Sequence, residues 1–145
     1  MHFEETSAAL TQYDISELQQ RFNLTLPEDF IIHYLKFNGG YPKTDTYIWS
    51  NNEETGINCF FSIKHQGFAR LEDAYQNLVV EEKVLPKGMV VFATDNGGNF
   101  FCISTREKDY GYIYYSNNDS YEVGDEESSL TFMDRSFKEF MNKLK

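Results

Sequence analysis

Met89-Val90-Val91-Phe92-Ala93-Thr94-Asp95-Asn96-Gly97-Gly98-Asn99-Phe100-Phe101-Cys102-Ile103-Ser104 is the stretch on which the fold turns. It holds two short apolar runs rich in β-branched and aromatic residues, separated by five polar ones. Runs this short suit strands better than helices. Asp and Asn side chains bond their own backbone, and Gly takes conformations closed to other residues, so Asp95, Asn96, Gly97, Gly98 and Asn99 read as a tight turn. The stretch predicts an antiparallel hairpin.

Downstream, Lys108-Asp109-Tyr110-Gly111 predicts a second hairpin leading into Tyr112-Ile113-Tyr114-Tyr115. Met133, Phe137, Phe140, Met141 and Leu144 fall on one face of a closing helix, with Thr131 or Ser129 as its cap. Upstream, Pro86-Lys87-Gly88 is a turn, and Leu71, Ala74, Tyr75, Leu78 and Val79 have helical spacing. Ile57, Cys59, Phe61 and Ile63 alternate as in a strand, and Tyr47-Ile48-Trp49 forms a shorter one. Leu26-Pro27-Glu28-Asp29 opens a helix with Pro at its first position and acids against its positive end. Phe30, Ile31, Tyr34 and Leu35 make its apolar stripe, and Asn38-Gly39-Gly40 stops it. Asp14-Ile15-Ser16-Glu17 has capping-box spacing for a short helix to about Phe22, and residues 1–13 read as a loosely held arm. Short links between strands imply a mostly antiparallel central sheet with the N-terminal, middle and C-terminal helices stacked on one face. The expected class is α+β, one domain over 1–145.

Composition narrows the function. The 145 residues carry 23 Asp or Glu against 13 Lys or Arg, a formal charge of −10. Nucleic-acid binding rests on clustered cations that displace counterions from phosphates, and no such cluster occurs, so no direct nucleic-acid partner is expected. A basic partner suits the charge. No apolar run is long enough to cross a bilayer, and Met1-His2-Phe3-Glu4-Glu5 does not open a signal peptide, so a cytoplasmic protein without a membrane partner is expected. Cys59 and Cys102 sit in apolar segments and read as core.

Enzyme signatures fail one by one. There is no Gly-x-Ser-x-Gly elbow. Gly39-Gly40-Tyr41-Pro42-Lys43-Thr44 has Pro42 where a phosphate loop needs Gly. In the stretch from Asp119 to Leu130, Gly124 stands where a calcium loop has its glycine, but Tyr121, Val123 and Leu130 occupy ligand positions. His2, His33 and His65 have no metal-ligand spacing, and His33 reads as a half-exposed helix residue. The expectation is a non-catalytic protein with no metal and no cofactor.

Three segments together resemble the SUKH superfamily, the Smi–Knr type of domain found in fungal regulators and bacterial immunity proteins. They are Leu26-Pro27-Glu28-Asp29-Phe30 running through Tyr34-Leu35 to Phe37-Asn38-Gly39-Gly40, then Phe92 to Phe100, then Ser136-Phe137-Lys138-Glu139-Phe140. Residues 41–56 offer no pattern to align. The resemblance implies an immunity protein that binds and neutralises a cognate toxin domain, basic and very often a nuclease. A compact acidic protein can cover such a surface without catalysis, with aromatic anchors among the acids. The stretch Asn117 to Ser129 lacks Lys and Arg, so Asp119, Glu122, Asp125, Glu126 and Glu127 are the candidate acids, with Tyr121, Tyr110, Tyr112 and Tyr114 as anchors. Asp95 and Asn96 join them if their turn lies beside Asn38-Gly39-Gly40 at one docking rim. The alternatives are a cytosolic scaffold or regulatory module, as the fungal members imply, and a small-ligand sensor.

Overall fold

The structure is a computed structural model that describes residues 2–145. The chain runs β1 (Phe3–Glu4), α1 (Gln12–Phe22), α2 (Glu28–Lys36), β2 (Tyr41–Pro42), β3 (Thr46–Ile48), β4 (Glu54–Gly56) and β5 (Cys59–Phe60). Then come α3 (Leu71–Tyr75), continued by a π-helical turn over Gln76–Glu81, and β6 (Met89–Thr94), β7 (Phe100–Ser104), β8 (Ile113–Ser116), β9 (Leu130–Asp134) and α4 (Phe137–Asn142). β5 to β9 form one antiparallel meander in sequence order, beside the small pairs β1–β2 and β3–β4. This is an α+β fold.

The decisive hairpin forms. Thr94 pairs with Phe100 and Met89 with Ser104, with a bulge between Val91 and Ala93. Every residue of β6 is buried, which requires cover on both faces of the sheet. On one face Phe101 meets Phe140 at 5.9 Å, and Phe92 meets Phe30, Phe60 and Phe137 at 5.5–5.8 Å. On the other, Phe100 lines a crevice with Leu78, Val84 and Leu85 from the middle helix and the loop after it. The expectation of helices on a single face is thus corrected. A continuous apolar run, unlike an alternating one, marks a strand with two covered faces.

Boundaries moved where a nearer residue made the better cap. Thr11, not Asp14, caps α1: its hydroxyl accepts from Asp14 N at 3.2 Å, and the Asp14 carboxylate takes Thr11 N at 2.9 Å. Pro27 sits one residue before the first turn of α2. Ser136 caps α4, while Thr131 and Met133 lie in β9, a strand that the sequence reading missed. Only Cys59–Phe60 of the expected Ile57–Ile63 strand joins the sheet ladder. The first residues are not loose either, since Phe3 is buried against Phe37 and Phe60 and pairs with Pro42.

Asn38 does more than stop a helix. Its buried side chain donates to Ala8 O and Ile63 O and accepts from Ile63 N, at 2.8, 3.0 and 2.7 Å. Asn38→Ala leaves both backbone groups of Ile63 without these partners, and unfolding in urea is expected to show a loss of about 2–3 kcal/mol. A loss under about 0.5 kcal/mol would contradict this.

His33 stands among rings: Phe3 at 5.0 Å, Phe137 at 5.1 Å and Phe60 at 5.7 Å. Its Nε2 is buried without a partner. Burial, helped by the nearby Lys36 charge, lowers its pKa to about 4. An unfolded imidazole titrates near 6.5, so between about pH 6.5 and 4 the unfolded chain binds a proton that the folded one refuses. Stability therefore falls as pH falls through this window, by about 2 kcal/mol at pH 5. Urea melts at neutral pH and pH 5 should show this loss, and His33→Phe should remove it. An equal loss in both proteins would refute the assignment.

Candidate functional site

The acidic stretch after β8 is a built loop. Asn117 accepts Asp119 N at 3.0 Å through its side chain and donates its own N–H to Ser129 O at 2.9 Å, closing the base. The Ser128 hydroxyl accepts Glu122 N at 2.7 Å and donates to Asp125 O at 2.6 Å. Between Glu122 and Asp125 the chain reverses through Val123 and Gly124, whose φ of +87° favours glycine. This geometry holds Asp119, Glu122 and Asp125 exposed, and among the described residues none of the three has an ion-pair partner. Glu126 is half-buried and lines a shallow groove with Phe22, Tyr75, Val80 and Lys83.

Glu127 is not free, because Arg106 reaches it at 2.6 Å from outside the stretch. Arg106 also grips Asp109 with Nε and Nη2, at 3.1 and 2.5 Å. Asp109 further accepts from the hydroxyls of Ser104 and Tyr114, at 2.5 and 2.6 Å. Burial alone would raise the Asp109 pKa, but the bonds from Arg106, Ser104 and Tyr114 outweigh it and hold the carboxyl below its ordinary value. Burial, then Asp109, push the Tyr114 phenol up to about 12. Tyr114 is thus fixed at its polar end, and Arg106 links its ring to the acidic loop.

The other aromatics divide. Tyr112 packs edge-on against Phe132 at 5.2 Å, and Phe132 also neighbours Tyr114 at 6.1 Å, making one patch on the outer strands. Tyr110 is exposed and donates to Thr25 O at 2.9 Å. Tyr121 instead turns toward Phe100, Leu78 and Val84.

The Asn38–Gly40 turn offers no docking surface. Asn38, Gly39 and Gly40 are buried, and Gly40 bridges Phe60; a Cβ there would stand 2.5 Å from Glu4 O. The hairpin turn, in contrast, meets the acidic loop. Asn118 donates to Asn99 Oδ1 and Gly98 O, each at 2.9 Å. Asp95 holds the turn shut by accepting from Gly97 N and Asn99 N, at 2.9 and 2.8 Å, and it also takes the Tyr115 hydroxyl. Asn96 is exposed at the tip.

Two surface residues escaped the sequence reading. Val123, 97% exposed between Glu122 and Asp125, is an apolar tip among acids. Phe132, 46% exposed, lies in β9, where a cap at Thr131 or Ser129 predicts the start of the closing helix. Little signal marks that strand, whose residues run half-buried, exposed, exposed, buried, buried rather than alternating.

Among the described residues, no group of three or more His, Cys, Asp or Glu is placed to hold a metal ion, and no helix is long and apolar enough to cross a membrane. Cys59 and Cys102 are free and buried; burial pushes the Cys59 thiol up to about 11 and Cys102 higher still. No curated protein matches the sequence. The family model described as SMI1 / KNR4 family (SUKH-1) matches residues 9–143, which spans the helices, the meander and the acidic loop, and the chain therefore belongs to that family.

Proposed function

We propose that this protein is an immunity protein that binds a cognate toxin domain, basic and most simply a nuclease, and neutralises it by covering its working surface. The observation that carries the reading is the ordered loop that presents Asp119, Glu122 and Asp125 outward without a cationic partner among the described residues. Uncompensated acids on a rigid support attract and orient a basic partner. The Tyr112–Phe132 patch, joined to the loop through Tyr114, Asp109 and Arg106, adds the amphipathic rings that commonly anchor interfaces. Membership of the SUKH-1 family supports the same reading. The protein acts by binding in the cytoplasm, with no chemical step of its own.

Rescue in cells tests it. The C-terminal domain of the toxin-like protein encoded by the neighbouring gene is expressed with and without this chain. Growth restored only when both are present supports neutralisation. If the toxin domain is active and the chain folded, yet growth is not restored, the immunity reading fails for that pair. A regulatory scaffold, binding several cytosolic proteins weakly, then becomes the better description.

A further inference from the structure

β5 and β9 are the two edges of the central sheet. The β5 edge is closed, because Phe60 N bonds Gly40 O at 2.9 Å and Gly40 N bonds Phe60 O at 3.1 Å. β9 has β8 on one side and, among the described residues, no strand on the other. The ladder fixes which of its backbone groups are spare. Asn117 N bonds Ser129 O, and Tyr115 stands opposite Thr131. Antiparallel bonding alternates along a strand, so Ser129 and Thr131 turn inward to β8, while Leu130 and Phe132 turn outward. Glu127 O already takes Leu130 N at 3.1 Å, which leaves Leu130 O and both backbone groups of Phe132 facing outward without a partner in the sheet. The Tyr47 hydroxyl covers Met133 O at 3.1 Å, so the open edge runs from Leu130 to Phe132. Outside it a groove of about 520 Å³ separates the strand from α4, lined by Phe132, Met133, Arg135, Glu139, Asn142 and Lys143.

Spare N–H and C=O groups on an edge pair with any strand that reaches them, and proteins blunt such edges with lysine or proline. This edge instead carries Phe132, 46% exposed. The register shift between Ile113 and Tyr114 falls past Phe132 and leaves Leu130 to Phe132 flat. Charge names the occupant. The acidic loop, ending near Glu127, precedes the open edge, and Arg135 follows it, exposed and without an ion pair among the described residues. A strand with the same order of acid, apolar residue and cation, laid antiparallel, sets cation against acid at both ends. The chain itself has that order. We propose that β9 pairs with β9 of a second copy of this chain, antiparallel about a two-fold axis near Phe132, so that two five-stranded meanders become one continuous sheet. Such an axis makes the same patch serve on both copies and closes the assembly at two. Each Phe132 N–H finds a carbonyl of the other edge, the two rings lie side by side, and each Arg135 approaches the other copy's Glu127. The formal charge of −10 per chain does not forbid this, because exposed charges farther apart than about 8 Å are screened at physiological salt. Strand side chains stand roughly perpendicular to the sheet, so edge pairing joins the two Tyr112–Phe132 patches into a wider one. The inference stands apart from the toxin-binding reading.

Sedimentation of the whole chain between about 20 µM and about 1 mM tests it, a range in which a weak association of short edges fills. The mass is expected to rise with concentration from 17.0 kDa toward twice that value. Over the same range, amide exchange followed by NMR should slow several-fold at Phe132, whose N–H is spare in the single chain, and hold steady at Thr131, whose N–H already faces β8. Phe132→Lys sets two ammonium groups against each other across the axis and should weaken association about tenfold or more. Arg135→Glu, at an exposed position, should weaken it a few-fold and leave the circular dichroism unchanged. Phe132→Pro removes only the outward N–H from the backbone and should also keep the chain single. A wild-type chain that stays single throughout would overturn the proposal and leave the edge to a strand of another protein. Association with unchanged exchange at Phe132, or undiminished in a folded Phe132→Lys chain, would overturn it too, by placing the contact on another face. No toxin enters the experiment, so its failure is distinguishable from failure of the immunity reading, which cellular rescue decides.

Discussion

Asp109→Ala is expected to lower the unfolding free energy by about 3–5 kcal/mol, the range for removing one member of a buried ion pair. The Asp109 and Arg106 side chains are 7% and 14% exposed, so neither charge has water to fall back on. Removing the carboxylate deprives Arg106 of two bonds and the Ser104 and Tyr114 hydroxyls of their acceptor. Arg106 keeps Glu127, which is half in solvent and offsets little. Asp109→Asn preserves shape and one acceptor, and should lose about half as much. Urea unfolding at neutral pH measures both. A loss below about 1 kcal/mol for Asp109→Ala would mean that the cluster is not a stabilising hub. The same variant should loosen the acidic loop, which hydrogen exchange at Glu127–Ser129 would register.

This hub also shows where sequence reading stops. Lys and Arg are absent from Asn117–Ser129, yet Arg106, 21 positions before Glu127, is folded back onto the loop. Local composition does not report such long-range approach. The hairpin over 89–104 was legible because its turn chemistry and its apolar runs agree. Helix stripes were legible too: Phe30 and Tyr34 are fully buried, as their spacing required. β9 was missed because Leu130–Asp134 pairs with β8 only at long range and is cut by a bulge, leaving little alternation. Of the site, the acids were readable one by one as charges without local partners. That Asp95 serves its own turn, that Tyr121 faces inward and that Asn38–Gly40 is buried follow only from packing.

Reversing the three free acids together, Asp119→Lys, Glu122→Lys and Asp125→Lys, is expected to weaken binding of the toxin domain by roughly a hundredfold or more, since like charges facing each other across an interface cost several kcal/mol. The fold should barely notice. These side chains are exposed, and only Asp125 has a bond to lose, accepting Glu127 N at 3.1 Å. A change in stability within about 1 kcal/mol is therefore expected from urea unfolding. Weakened binding with retained stability separates a partner-facing role from a structural one. Unchanged affinity would move the interface away from this loop.

The central claim is that an acidic face binds a basic toxin domain, and titration of the purified wild-type pair at about 0.05 M and about 0.5 M salt tests it most directly. Nanomolar affinity at low salt, falling steeply at high salt because exposed charges are screened, is the predicted result. No binding between an active toxin domain and the folded protein, or tight binding indifferent to salt, would contradict it.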